Sequence, residues 1–302
     1  MPSLWIPITL AASVLQTFRT AQQKRLTGVI GQNGAHFSRY FYGAPLAALL
    51  LAGLAGQGEQ VPTPGIDFIF YCLLGGIPQI VATGCLIHAY TLRNFAVATT
   101  FSKTETIQAA VLSLLILGEG VSLGGWAAIA IGFGGLVLLT TARRSGGTIP
   151  LARAWREPAT IYGLASGFFF AFSGIGIRSA ALSLPAGDSL IRAVTTLAAI
   201  TAMQTVLMGT WLLIADRKAL RGALGFAWKP AASVGIMSVV GSFSWFLAMT
   251  LEPVAHVRAL AQVEIVFSIA MSILVFRERP VMREYAGAAL IVASVLLLLL
   301  AR

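Results

Sequence analysis

Ten apolar runs, most close to 20 residues long and separated by Gly, Pro and charge, constrain this chain more than any other feature. A helix rises 1.5 Å per residue, so about 20 residues cross the roughly 30 Å of hydrocarbon in a bilayer. A membrane barrel would instead need strands of about 10 residues with alternating polarity. The chain therefore reads as an all-α integral membrane protein. Composition agrees, since 57% of residues are hydrophobic, 11% are charged and mean hydropathy is +0.83, whereas soluble domains are about 25% charged. The net charge of +10 does not point to nucleic acid. Most Lys and Arg fall in short connections between apolar runs, where they set topology and meet anionic membrane lipids.

The runs predict helices over residues 3–22, 36–54, 66–89, 95–117, 123–141, 160–182, 189–213, 230–249, 254–276 and 284–301. The first run, Trp5 to Leu15, continues into Arg19 without a small-residue cleavage site, so it reads as a spanning helix rather than a signal peptide. Cys72 and Cys85 share one predicted helix, about 20 Å apart along its axis, too far to bridge. The longest connection carries Arg143, Arg144, Arg153 and Arg156 and divides the chain nearly in half.

A shift of 159 residues superimposes Glu105 on Glu264 and Glu119 on Glu278. The same shift pairs Gly76 with Gly235, Thr91 with Thr250, Ser113 with Ser272 and Arg19 with Arg178, and a six-residue slip brings Arg39 onto Arg192. Aligned charges inside apolar helices are not a common accident, so a five-helix unit is duplicated in tandem. The organisation expected is a first repeat over 1–142, a basic connection over 143–159 and a second repeat over 160–302. An odd number of helices per repeat makes the second enter the membrane from the opposite side, giving ten transmembrane helices as two inverted five-helix repeats. Connections after the odd-numbered helices hold fourteen Lys and Arg, and the other side holds Arg302 alone. The positive-inside rule then places both termini outside the cytoplasm of an inner, or cell, membrane.

The fourth predicted helix is apolar toward its end but carries Thr99, Thr100, Ser102, Lys103, Thr104, Glu105, Thr106 and Gln108 at its start. At about 100° per residue Thr99, Ser102, Lys103, Thr106 and Ser113 share one arc, which must face protein or a water-filled cavity. A charge at the bilayer centre costs about 2.5 to 3.5 kcal/mol on insertion scales, which makes intramembrane ions functional candidates.

The stretches TETIQAAVLSLLILGEGVSLGGWAAIAIGFGGLVLL and VEIVFSIAMSILVFRERPVMREYAGAALIVASVLLLLL each place a polar or acidic residue at mid-helix, then a small-and-apolar run. Each then has a closing glutamate, Glu119 or Glu278, and a Gly/Ala-rich helix. In this the chain resembles the EamA-like, ten-helix branch of the drug/metabolite transporter superfamily. It departs from the family pattern near Glu105, where Thr-Glu-Thr stands in place of the usual proline. The resemblance implies a secondary transporter of a small organic metabolite, commonly an exporter or exchanger.

Glu105 and Glu264 are candidates to flank a substrate cavity and to couple transport to protons. Lys103 and its counterpart Gln262 stand beside them, with Thr99, Thr106, Arg258 and Trp245 as further substrate-binding candidates. The bland alternative is that each acid neutralises a basic neighbour such as Arg19, Arg178 or Arg258 and locks helices together. Arg19, Arg178, Arg39, Arg192 and His88 are secondary polar candidates; long side chains near helix ends also snorkel to headgroups, and His88 and His256 lie at predicted helix ends. Within the predicted spans Arg19, Arg39, Lys103, Arg178, Arg192 and Arg258 outnumber Glu105 and Glu264. That balance suits a zwitterionic or anionic solute such as an amino acid, whose carboxylate Arg clamps bidentately. Exchange against a counter-substrate is the alternative to proton coupling. A multidrug or organic-cation exporter is the runner-up, and an intramembrane scaffold or enzyme stands behind it. No HExxH, GxSxG or paired-aspartate arrangement lies within the spans, so no catalytic residue, metal site or cofactor is expected. GFGG at 132–135 lies inside an apolar run with no preceding strand, so it is no nucleotide fingerprint.

Overall fold

The computed structural model describes residues 4–91, 101–142, 158–264, 266–267 and 282–301. The described residues form helices and their connections: α1 Trp5–Phe41, α2 Gly43–Gly56, α3 Ile66–Thr91, α4 Glu105–Leu117, α5 Leu123–Ala142 and α6 Pro158–Ser183, followed by α7 Ser189–Ala215, α8 Arg217–Leu224, α9 Trp228–Leu251, α10 Val254–Ala261 and α11 Met282–Leu300. Among the described residues, four helical stretches are long and apolar enough to cross a membrane by themselves, namely Ile66–Ala89, Thr160–Ser183, Ser189–Ala215 and Trp228–Leu251. Glu105–Leu117, Leu123–Leu138 and Tyr285–Leu300 are shorter apolar helices.

In the first of the chain's two compact units, two elements differ from the sequence expectation. The charged stretch between the first two predicted helices is helical throughout, and α1 is interrupted only at Gly31, with φ 75° and ψ 174°. Hydropathy registers the charges of Lys24 and Arg25, but Gln, Lys, Arg and Leu are good helix formers, so polarity alone does not end the helix. Gly31 ends the regular path because its backbone region is open to glycine alone. The second difference is α8, which falls in what the apolar pattern marks as a connection. Asp216 starts it, its Oδ1 accepting from Ala219 N at 3.1 Å, the usual task of an N-cap aspartate.

The chain divides into two compact units. The first comprises Met1–Ile80 and Gly176–Glu252. In it α1 packs along α9, α2 lies against α7, and α8 lies against α1, around Leu26, Ile30, Phe37, Tyr40, Leu212 and Val234. Backbones approach closely at Gly176, where a β-carbon would stand 2.4 Å from Gly75 N. The second unit comprises Val81–Ile175 and Pro253–Arg302. Here α5 packs along α11 and α4 meets α10, with Ala110, Ile129, Ala255, Ala259 and Leu298 at the centre. A β-carbon on Gly135 would lie 2.7 Å from Gly287 O, so small residues set the α5 to α11 spacing. The pairs α2 with α7 and α5 with α11 each join elements that the internal duplication matches in sequence.

Candidate functional site: two matched helix breaks

The fourth and ninth predicted helices each tighten into a three-residue turn at matching positions, a local break in the α-helical bonding at which Thr104 (φ −61°, ψ −10°) and Gln262 (φ −59°, ψ −19°) keep right-handed dihedrals. Residues 101–102 are helical, Lys103 and Thr104 form a turn, and α4 starts at Glu105. In the other repeat α10 ends at Ala261, Gln262 forms the turn, and residues 263–264 are helical again. The 159-residue offset puts Lys103 on Gln262. Neither break contains proline or glycine. At the first, the Thr104 hydroxyl donates to Phe101 O, and Thr104 N also bonds Phe101 O at 3.2 Å, a three-residue closure. At the second, Gln262 N reaches Ala259 O at 3.3 Å, again three residues back. Ser and Thr offer the backbone such local partners in place of the helical ladder. Gln108 then holds the first turn, its Nε2 donating to Thr104 Oγ1 at 2.8 Å.

Glycines make room for both breaks. A β-carbon at Gly167 on α6 would lie 2.8 Å from Ser102 O and 3.1 Å from Glu105 N. One at Gly132 on α5 would lie 2.5 Å from Gln262 Oε1 and 2.7 Å from Ser294 Oγ.

The charges at the breaks are paired crosswise between the repeats. Arg258 Nε stands 2.7 Å from Glu105 Oε1, and Lys103 Nζ stands 3.3 Å from Glu264 Oε2. Gln262 Nε2 donates to Thr106 Oγ1 at 3.3 Å, and Thr106 Oγ1 donates to Arg258 O at 3.4 Å. The two pairs differ in access: the Arg258 and Glu105 side chains are 14% and 12% exposed, those of Lys103 and Glu264 27% and 17%. Glu105 also opens α4, where the helix dipole favours a negative charge. Chemically, a solute carboxylate can compete for Lys103 and a solute ammonium for Glu264, whereas the tighter Arg258–Glu105 pair has less access to exchange.

Six of the sequence candidates thus come together: Lys103, Glu105, Thr106, Arg258, Gln262 and Glu264. Thr99 lies outside the described residues, as do Glu278, Ser272 and most of the basic connection after α5. His88, also in the second unit, meets the Tyr162 ring edge-on with centroids 4.4 Å apart. Glu119 follows Gly118, whose positive φ of 67° closes α4, and Glu119 N bonds Ser113 O at 3.2 Å.

The remaining candidates belong to the first unit. Trp245 Nε1 donates to Gln16 Oε1 at 2.9 Å, and Arg19 Nη2 reaches the same oxygen at 3.3 Å. Arg178 Nη1 donates to Met249 O at 2.7 Å and Thr250 O at 3.3 Å, so it caps the C-terminus of α9. Arg192 lies in the first turn of α7, and Arg39 Cζ stands 5.5 Å from the centroid of the Tyr40 ring. Sequence reasoning passed over two amides here, the buried Gln204 and the half-buried Gln79. Gln204 Nε2 donates to Gly76 O at 3.0 Å and to Gln79 Oε1 at 2.9 Å. Their signal was a lone Gln in each of two apolar runs, GGIPQIVA and ITAMQTVLM.

The model of the EamA-like transporter family matches residues 3–141 and again residues 158–300. Among solved structures, one crystal structure of a protein aligns with a TM-score of 0.72 over 100% of this chain and 98% of the other, at 18% identity. A likeness at that identity speaks for the fold alone. No curated protein matches the sequence.

Proposed function

The chain belongs to the EamA-like transporter family, and on that premise we propose that it is a secondary transporter of a small zwitterionic or anionic metabolite such as an amino acid. It is a multi-pass membrane protein of the drug/metabolite transporter superfamily. In the proposed reading ten helices form two inverted repeats in a cell membrane, with both termini outside the cytoplasm and export as the working direction. Alternating access then exchanges ion-pair partners at the two helix breaks.

The observation that carries this reading is the pair of repeat-matched breaks bearing crossed ion pairs. Solute and ion sites in membrane transporters built from repeats commonly lie where the repeats meet, and intramembrane ions there are functional candidates. Lys103, in the more exposed pair, is the proposed contact for a solute carboxylate, and Glu264 for its ammonium or for a proton. Glu105, held by Arg258, is the second candidate for coupling. Both carboxylates face a protein cation, Glu105 at Arg258 and Glu264 at Lys103, which disfavours a solute that carries positive charge alone.

A thermal-shift screen of purified protein against amino acids, nucleotides, sugar phosphates and cationic dyes identifies the solute class, because a ligand that binds only the folded state stabilises it. Proteoliposome transport of the stabilising solute then tests coupling. Glu105→Gln and Glu264→Gln are expected to change its pH dependence. Unchanged pH-dependent transport in both variants rules out carboxylate coupling, and stabilisation by the dyes alone sinks the zwitterion or anion assignment.

A further inference from the structure

Arg39 has an environment that the proposed solute contacts do not explain. It lies in the last turn of α1, is only 6% exposed, and makes no ion pair among the described residues. Its guanidinium stands 5.5 Å from the centroid of the Tyr40 ring. A buried charge without a counter-charge is expensive, and a helix C-terminus offsets only part of that cost.

Arg39 lines a cleft inside the first unit together with Gln79 of α3, Thr201 and Gln204 of α7, and Ser238 and Ser242 of α9. Tyr40 and Phe246 add aromatic wall, and no lining residue among those described is acidic. The free space is about 10 Å³, the size of a single water or a compact ion. Some of the polar groups are already committed: Thr201 Oγ1 donates to Leu197 O at 2.6 Å, and Gln204 Nε2 serves Gly76 O and Gln79 Oε1. Ser238 is different. It is 2% exposed and its hydroxyl has no hydrogen-bond partner among the described residues, an arrangement rare for a buried polar group. Ser242 stands four residues on, one turn along the same face of α9. The groups left over are a guanidinium and hydroxyls, which are donors toward an anion. Water in the cleft would satisfy Ser238 and still leave the charge of Arg39 uncompensated.

We infer that this cleft binds a compact monovalent anion, held by the Arg39 guanidinium and the Ser238 hydroxyl. The anion is either a free halide or the carboxylate of a solute. The site is separate from the helix breaks and stands or falls independently of them.

Full-length protein is purified in detergent with gluconate as the anion, and chloride, bromide or acetate is titrated in at constant ionic strength while the unfolding temperature is followed. The expected result is a saturable rise that Arg39→Gln loses and that Arg217→Gln, on exposed α8, keeps. A response to halide identifies a free ion; a response to acetate alone identifies a carboxylate. Ser238→Ala keeps the charge and is expected to weaken the midpoint by about tenfold, the loss of one hydrogen bond to a charged group. No saturable rise with any of the three anions overturns the site, as does an equal response in Arg39→Gln. If Arg39→Gln does not fold, an unchanged midpoint in Ser238→Ala overturns it.

Discussion

Lys103 Nζ and Glu264 Oε2 stand 3.3 Å apart although 161 residues separate them in the chain. Each sits at one of the two matched helix breaks. Their contact is reciprocal, so charge exchange tests it. Lys103→Glu or Glu264→Lys alone places like charges together and is expected to lower the unfolding temperature. The double exchange is expected to recover most of it, with an interaction energy of about 0.5 to 3 kcal/mol in the cycle. Additive single effects show that the two side chains do not interact.

The Arg258–Glu105 pair is shorter and less exposed, and its loss is expected to cost more. Arg258→Met strands a buried carboxylate, a change worth about 3 to 5 kcal/mol where a buried pair is broken. Lys103→Met leaves Glu264 better hydrated, and partly exposed pairs contribute nearer 1 kcal/mol. Chemical unfolding in detergent should therefore rank Arg258→Met well below Lys103→Met. The reverse order means that access does not govern the two pairs.

The positions of the intramembrane charges were legible because Lys103, Glu105 and Glu264 stand out against apolar neighbours, and the internal offset tied the two glutamates together. The partners were not legible: Arg19, Arg178 and Arg258 were equal candidates for Glu105, and only the fold singles out Arg258 while assigning Arg178 to the end of α9. Nor were the breaks, since the backbone at Thr104 and Gln262 closes three residues back, on Phe101 O and Ala259 O, without proline or glycine. The extent of α1 escaped for the opposite reason: charge was read as a connection over residues 23–35, where the helix runs on and breaks only at Gly31. Ser238 carried no signal at all, because a lone Ser in an apolar run is ordinary until its surroundings are known.

Gly31 and Gly28 separate backbone conformation from space. Neither has anything within 4 Å of a would-be β-carbon, but only Gly31 has positive φ. Gly31→Ala is expected to destabilise by about 1 to 3 kcal/mol, the cost of a side chain in that region. Gly28→Ala, at a regular helical position, is expected to be neutral or to stabilise by up to about 1 kcal/mol. Equal unfolding temperatures for the two variants would falsify the break at Gly31.

Gly167→Ala tests the packing of α6 against the first helix break. The added carbon would sit 2.8 Å from Ser102 O, a backbone atom that cannot rotate away. Overpacking of this kind costs about 1 to 3 kcal/mol, and the shift would fall on the turn that carries Lys103. Loss of stability together with weaker solute binding is the expected outcome. A variant with wild-type stability shows that α6 does not abut the turn.

Asp216 provides a pH-dependent test outside the membrane-spanning helices. Its carboxylate accepts from Asn33 Nδ2 at 2.9 Å and from Ala219 N at 3.1 Å. These bonds, the Asn33 contact first, hold its pKa below the usual carboxylate value. A folded-state pKa lower than the unfolded one, about 3.9 for Asp, gives stability that is present above the unfolded value and lost as pH falls through the folded one. Wild-type protein should therefore lose unfolding temperature below about pH 4 in excess of Asp216→Asn, and Asn33→Ala should shrink that excess by removing the larger contribution. Parallel pH profiles for all three proteins would show that the carboxylate is not linked to folding and that α8 is held by its buried Ala219, Gly222 and Ala223 alone.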